Sequence, residues 1–377
     1  MDLSPQFLRT KAPDTDRPVV QLTTGEAACY PLYYFIPSLT RDERFLIYHR
    51  AETGHLQLYR LDLATAESVR LTNATWPDTQ WRPWCVSSGH GVLDHRSVLN
   101  VARNRVIYFD GPIVRAVDVE TCADEVLFEL PADREAYGQN CCTPDGRSFV
   151  FIHVPRGAVW GQPCRGAQVV AYDIDTGRQR TLCEVDSAVF HVTAYDNTHF
   201  VITHPAEGPG MLWLDAEHGT CELLRDGVVH CPCTQSGIAY EVPAERRLGW
   251  LDPLARRTWE FPMPPAFHYI HTGCDPAGRL LLYENSTDWD RFETHDMWAL
   301  VSVDPHGDDH EWLRLTGTWP TFIGGQKAHF HPQVTPDRNW VLFTGGDPTH
   351  ETCHLFLLDI SDVNETAGLQ PELRQPL

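Results

Sequence analysis

Residues 58–72 read LYRLDLATAESVRLT: an alternating apolar run ending at Asp62, a short polar turn, then a second strand-like run. Alternation with period two marks half-buried strands, and Asp followed by small polar residues marks the turn between them. The arrangement returns as VRAVDVETCADEVLFEL around Asp118, VVAYDIDTGRQRTLCEV around Asp173 and LWLDAEHGTCELL around Asp215. Further copies are LGWLDPLARRTWEF around Asp252, LVSVDPHGDDHEWLRLT around Asp304 and LFLLDI at Asp359. These seven copies are spaced by 56, 55, 42, 37, 52 and 55 residues, the length of a four-stranded propeller blade with its loops. A turn of the TPDG type precedes most copies, in TRDERFLIYH, TPDGRSFVFIHV, DPAGRLLLYE and TPDRNWVLFTG. With strands a to d running outward from the axis, this turn joins a to b, the Asp run is c, and the VRLT-like run is d.

The last copy lacks an outer strand, because DVNETAGLQPELRQPL follows it. The match to VRLT lies at the other end, in VVQLT at residues 19–23. The expectation is an all-β, seven-bladed propeller, one domain over residues 1–377, whose N-terminal strand joins the last blade and leaves no open edge.

Composition narrows the function classes. A formal charge of −21 disfavours nucleic acid and anionic membrane surfaces as partners, and an anionic substrate then needs local cations. No apolar run is long enough for a membrane span and no leader-like segment opens the chain, so the expected location is cytoplasmic. Twelve scattered cysteines fit buried reduced thiols better than a disulfide scaffold. HCPC at 230–233 lacks the second pair that a structural zinc site needs. There is no GxSxG to support a serine-peptidase reading. A non-catalytic propeller module of the periplasmic translocation type shares the turn pattern.

The a–b turn also serves as a ruler. Seven residues before its Gly position stand His191, His230, His271 and His331, counted from Thr198, Gly237, Gly278 and Arg338. In a propeller this place is the start of the innermost strand, so four successive blades aim histidine at one channel mouth. The densest cluster is Gly324-Gly325-Gln326-Lys327-Ala328-His329-Phe330-His331-Pro332. In extended backbone His329 and His331 fall on one side, and Gln326 approaches from a glycine-bent loop. Glutamine with imidazoles is a mixed N/O donor set, suited to Mn²⁺ or another first-row divalent metal. Tyr33, Tyr34, Trp289 and Trp298 are candidate sugar-stacking faces, although aromatics in propellers more often pack between blades.

At these residues the sequence resembles the oligogalacturonate lyases, seven-bladed propellers that cleave short oligogalacturonides by β-elimination. The likeness runs through LTTGEAACYPLYYF, AYGQNCCTPDG, CRGAQVVAYDIDTG, the EGP at 207–209, the MPP at 263–265 and QKAHFHPQVTP. It implies a small acidic oligosaccharide as substrate and a manganese ion held by Gln326, His329, His331 and a histidine of the sixth blade. The turn ruler selects His271 for that ligand, while distance from MPP favours His268. The resemblance further implies His230 as the Brønsted base, His191 as a substrate contact and Arg165 as a partner for a carboxylate. One departure stands out: Gly210-Met211-Leu212-Trp213 follows EGP at once, where family members carry a longer loop with an arginine. That departure leaves room for another uronide, glucuronate- or rhamnose-linked, as substrate.

Overall fold

Among the described residues, the Asp of a repeat ends a strand by capping the turn that follows. Asp62 Oδ1 accepts the backbone N–H groups of Ala64 and Thr65, both at 3.1 Å, and Asp118 Oδ1 those of Glu120 and Thr121 at 3.1 and 2.7 Å. Asp173, Asp215 and Asp252 do the same two and three residues on. These are Asx turns, which explains why Asp recurs where the apolar alternation stops. The TPDG-type turns have their own lock. Thr40, Thr143 and Thr335 each donate to the Asp two residues on at 2.6 Å and accept the N–H of the next strand's first residues.

The computed structural model describes residues 1–366 apart from 53, 78–88, 159–163, 186–190, 204–209, 235, 266, 276–279, 287–293, 303–309 and 321–328. It is all-β and propeller-like, with one 3₁₀ turn (Pro243–Glu245) and one short helix (Ser361–Thr366) among the described residues. The segment after Asp359 thus begins as helix rather than strand. No described helix is long and apolar enough to cross a membrane.

Among the described residues the strands form six hydrogen-bonded sheets, two of five strands, three of four and one of eight. Seven separate units, as the repeats suggest, is therefore not the count of sheets. Arg134–Val185 and His191–Arg225 each make a four-stranded antiparallel run, but Gln139 and His191 pair in parallel and join them. Pro18–Gln21 pairs with Thr352–Asp359, placing Val19 opposite Leu358 and Val20 opposite Leu357. This is the pairing anticipated from VVQLT. The strand Leu8–Lys11 adds outside it, which the repeat pattern does not anticipate.

Apolar residues of successive sheets meet face to face. Val20, Leu22, Leu355 and Leu357 share one core cluster with Leu46, Tyr48 and Leu61, so the sheet holding both chain ends packs on the sheet that follows it in sequence. Phe330, Phe343 and Phe356 fill the preceding interface beside Leu282 and Met297. Each fully buried side chain of this size stabilises the fold by about 1.5–3 kcal/mol. Against these cores the centre is polar: His49, His95, His271, His295, His331 and Glu284 are all 0% exposed.

Candidate metal centre

Tyr33 and Tyr34 occupy the middle of the polar region. They follow the strand Ala28–Pro31 in a tight turn, in which Ile36 N–H donates to the Tyr33 carbonyl at 3.1 Å, and each is 3% exposed. Four histidines from successive repeats surround them. The Tyr33 ring lies 4.9 Å from His331, 5.6 Å from His191 and 5.9 Å from His271; the Tyr34 ring lies 4.8 Å from His271 and 6.0 Å from His230. The four histidines in register are thus brought together. The two tyrosines belong to a buried apolar cluster with Ile36, Val92 and Leu93, and on their other side they are the surface on which the histidines assemble. Trp298 does pack, against Phe267 and beneath Arg314, and Trp289 lies outside the described residues.

His271, His329 and His331 form a compact group, with one ring nitrogen from each lying within 4.8 Å of the others. His271 sits on the strand Tyr269–Cys274. His329 and His331 share a side without an extended strand between them, because His331 has φ 45° and the chain bends there. Phe330 anchors the bend: its side chain is buried in the core, its N–H donates to Glu284 Oε1 at 2.9 Å, and its carbonyl accepts Thr344 N–H at 2.9 Å.

Glu284 decides which nitrogens face the group. Its Oε2 accepts His271 Nδ1–H at 2.7 Å and its Oε1 accepts His295 Nδ1–H. Burial pushes this carboxyl up, but the neighbouring His329 and His295 and the hydrogen bonds outweigh it, holding the group down to about 2. An ionised carboxylate can only accept, so both imidazoles carry hydrogen on Nδ1 and present the Nε2 lone pair. Burial, the largest influence on each, holds His191, His271, His329 and His331 well below the usual imidazole range. They are neutral, as metal ligands must be.

The remaining expected residues divide. His268 is exposed and lies on the protein surface, whereas His271 belongs to the cluster, so the turn ruler and not the distance from MPP identifies the converging residue. Gln326 lies outside the described residues, as does the EGP motif. His230 stands at the edge of the group with its side chain 29% exposed, its ring 5.3 Å from that of His271 and its Nδ1 3.6 Å from Glu241 Oε2. Its φ of 50° is another left-handed histidine. His191 is buried between Tyr33 and Phe35. Arg165 is exposed, in the turn before the strand Ala167–Asp173. In the HCPC segment Cys233 Sγ–H donates to Thr193 Oγ1 at 3.0 Å, and burial pushes Cys231 and Cys233 up to about 12.

Glu284, His295, His49, Asp94 and His95 escaped the sequence reading. His95 precedes its inner strand, Val98–Asn100, as His230 and His331 precede theirs, and it shares their left-handed backbone with φ 54°. The ruler missed it because the following turn is longer, with its left-handed residue at Asn104.

No family model matches the chain. Oligogalacturonate lyase of Dickeya dadantii is 21% identical across 88% of this chain and 90% of its own length. Two solved structures share the fold. Oligogalacturonate lyase from Vibrio parahaemolyticus gives a TM-score of 0.77 at 18% identity, covering 95% of this chain and 97% of that one. An oligogalacturonate lyase in complex with manganese gives 0.76 at 20% identity, covering 96% and 98%. The likeness read from LTTGEAACYPLYYF through QKAHFHPQVTP is matched by relatives that cover most of the chain.

Proposed function

We propose that this chain, a relative of the oligogalacturonate lyases, is a metal-dependent lyase that cleaves short uronate oligosaccharides by β-elimination. The observation that carries the reading is the convergence of three neutral, buried imidazoles beside a fourth, His230, that is open to solvent. His271, His329 and His331, with Gln326, would hold Mn²⁺ or another first-row divalent ion. Bound there, the ion offsets the charge of a uronate carboxylate and so acidifies the adjacent C5–H.

His230 takes the C5 proton through Nε2, the nitrogen remote from Glu241, and the imidazolium formed is stabilised by the Glu241 carboxylate. The C–H electron pair becomes the C4=C5 double bond, the C4–O bond breaks, and the departing sugar oxygen takes up a proton to leave as an alcohol. His191 contacts the sugar from beside Tyr33, and Arg165 pairs with a second carboxylate from the rim. We read the eight-stranded sheet as two blades, which gives seven in all, closed by Pro18–Gln21 within one domain over residues 1–377.

Purified protein with Mn²⁺ and di- or trigalacturonate is expected to produce the ultraviolet absorbance of the conjugated product. No signal across a pH series, with signal from glucuronate- or rhamnose-linked uronides, moves the substrate and keeps the reaction; silence from the whole panel rejects the lyase.

A further inference from the structure

Two thiols meet where the eight-stranded sheet folds back on itself. Cys183 lies on the strand Gln179–Val185 and Cys221 on the strand Thr220–Arg225, and these are the first and last strands of that sheet. Register fixes where each side chain points. Cys183 stands opposite Val169 and Cys221 opposite Leu214, and directly opposed residues of an antiparallel pair share a face. Val169 and Leu214 belong to one buried cluster together with Leu182 and Leu212, and Cys183 packs against it. Val170 and Trp213, next to them in sequence, lie in other clusters on the far sides of the two runs. Each cysteine therefore looks toward the strand that carries the other. Arg180 ties the same edges together, donating from Nη1 to the Ala216 carbonyl at 2.7 Å.

The two thiols are hydrogen bonded, with Cys183 donating and Cys221 accepting. That bond, with burial adding to it, pushes the Cys183 thiol up, and the same bond holds Cys221 below the usual thiol range. Among the described cysteines Cys221 alone is exposed, while Cys183 is half-buried. An open sulfur with thiolate character beside a shielded thiol is the arrangement of an attacking and a resolving cysteine.

We propose that Cys183 and Cys221 form a reversible disulfide when the protein meets a hydroperoxide, a clasp that joins the two edges of the eight-stranded sheet. The Cys221 thiolate attacks the peroxide, the O–O bond breaks, and its sulfur becomes a sulfenic acid. The departing oxygen takes the proton that Cys221 released and leaves as water or an alcohol. The Cys183 sulfur then displaces hydroxide from Cys221, the S–S bond forms, and the hydroxide takes the Cys183 proton to leave as water. The two thiols give up two electrons and two protons, and the peroxide accepts both pairs. A dithiol reverses the step.

The test is made on the full-length chain, reduced, freed of reductant and treated with hydrogen peroxide. Peptides mapped by mass spectrometry without reduction are expected to show one cross-link within a chain, joining Cys183 to Cys221 and lost on adding dithiothreitol. Two of the twelve thiols disappear with it, and the melting temperature rises by about 2–5 °C. Cys183→Ser halts the reaction at a Cys221 sulfenic acid that dimedone traps, whereas Cys221→Ser leaves Cys183 unmodified. A wild-type thiol count that peroxide does not change overturns the proposal. So does Cys221 driven to the sulfinic acid without a cross-link, or a cross-link that joins two chains. If either variant fails to fold, the wild-type peptide map decides alone. None of these outcomes depends on whether the protein is a lyase, which the uronide assay decides separately.

Discussion

The rim and the centre of this molecule use the same hydrogen bond to opposite effect. At the rim, His218 Nδ1 donates to Asp215 Oδ2 at 2.8 Å with its side chain 72% exposed, and the aspartate raises the imidazole above its ordinary range. At the centre, His271 Nδ1 donates to Glu284 Oε2 at 2.7 Å with both partners 0% exposed, and burial holds the imidazole well below that range. The partner chemistry and the distance are nearly the same, so desolvation decides the sign. The rim aspartate favours the cationic form of its histidine, whereas burial at the centre favours the neutral form with a free lone pair, which a metal requires.

The largest expected effect concerns the one central histidine left open to water. His230→Asn should lower turnover of a uronide substrate by about 10²- to 10⁴-fold while calorimetry still detects bound metal. Loss of metal in that variant reassigns His230 as a ligand. Next comes the shared carboxylate: Glu284→Gln turns one of the two acceptor oxygens that orient His271 and His295 into an N–H donor, and Mn²⁺ affinity should fall by about 10- to 100-fold. An unchanged affinity would mean that packing alone aims the imidazoles.

On stability, Asp62→Ala frees two backbone N–H groups and Arg44 at a partly buried turn and should cost about 1–2 kcal/mol in denaturant unfolding. The same change at Asp252, which the structure shows capping only exposed N–H groups, should cost less.

The pH dependence carries the same contrast in sign. Burial, with Arg134 adding to it, lowers His153 from 6.5 to about 4. The folded state therefore binds fewer protons than the unfolded chain in that interval, and the stability His153 supports is full above pH 6.5 and lost as pH falls toward 4. His153→Phe should flatten this acid limb of a melting-temperature profile. For His218 the shift is upward, so its small contribution is full below pH 6.5 and disappears as pH rises through the raised value. His218→Ala should change the melting temperature least of all, and only on the acidic side. Equal effects from the two substitutions would break the distinction between buried and exposed histidines.

Legibility follows the range of the interactions. Asp62, Asp118 and Thr143 announce themselves because they cap turns two or three residues away, and a contact that local leaves a repeat in the text. The histidine register was readable for a related reason, since a fixed count from a turn fixes a place on the inner strand. It failed at His95, where the turn is longer. It could not reach Glu284, whose importance rests on accepting from three residues, of which His271 lies 13 positions away and Phe330 46.

The chain by itself therefore determined a β-propeller-like repeat, the strand by which its start joins its end, and the residue types that converge. Tertiary structure alone decided which of them meet, that Tyr33 and Tyr34 lie at their centre, and that Glu284 orients His271 and His295. The reason is physical: turns are closed by neighbours in sequence, whereas protonation, tautomer and lone-pair direction depend on desolvation and on partners supplied by other sheets.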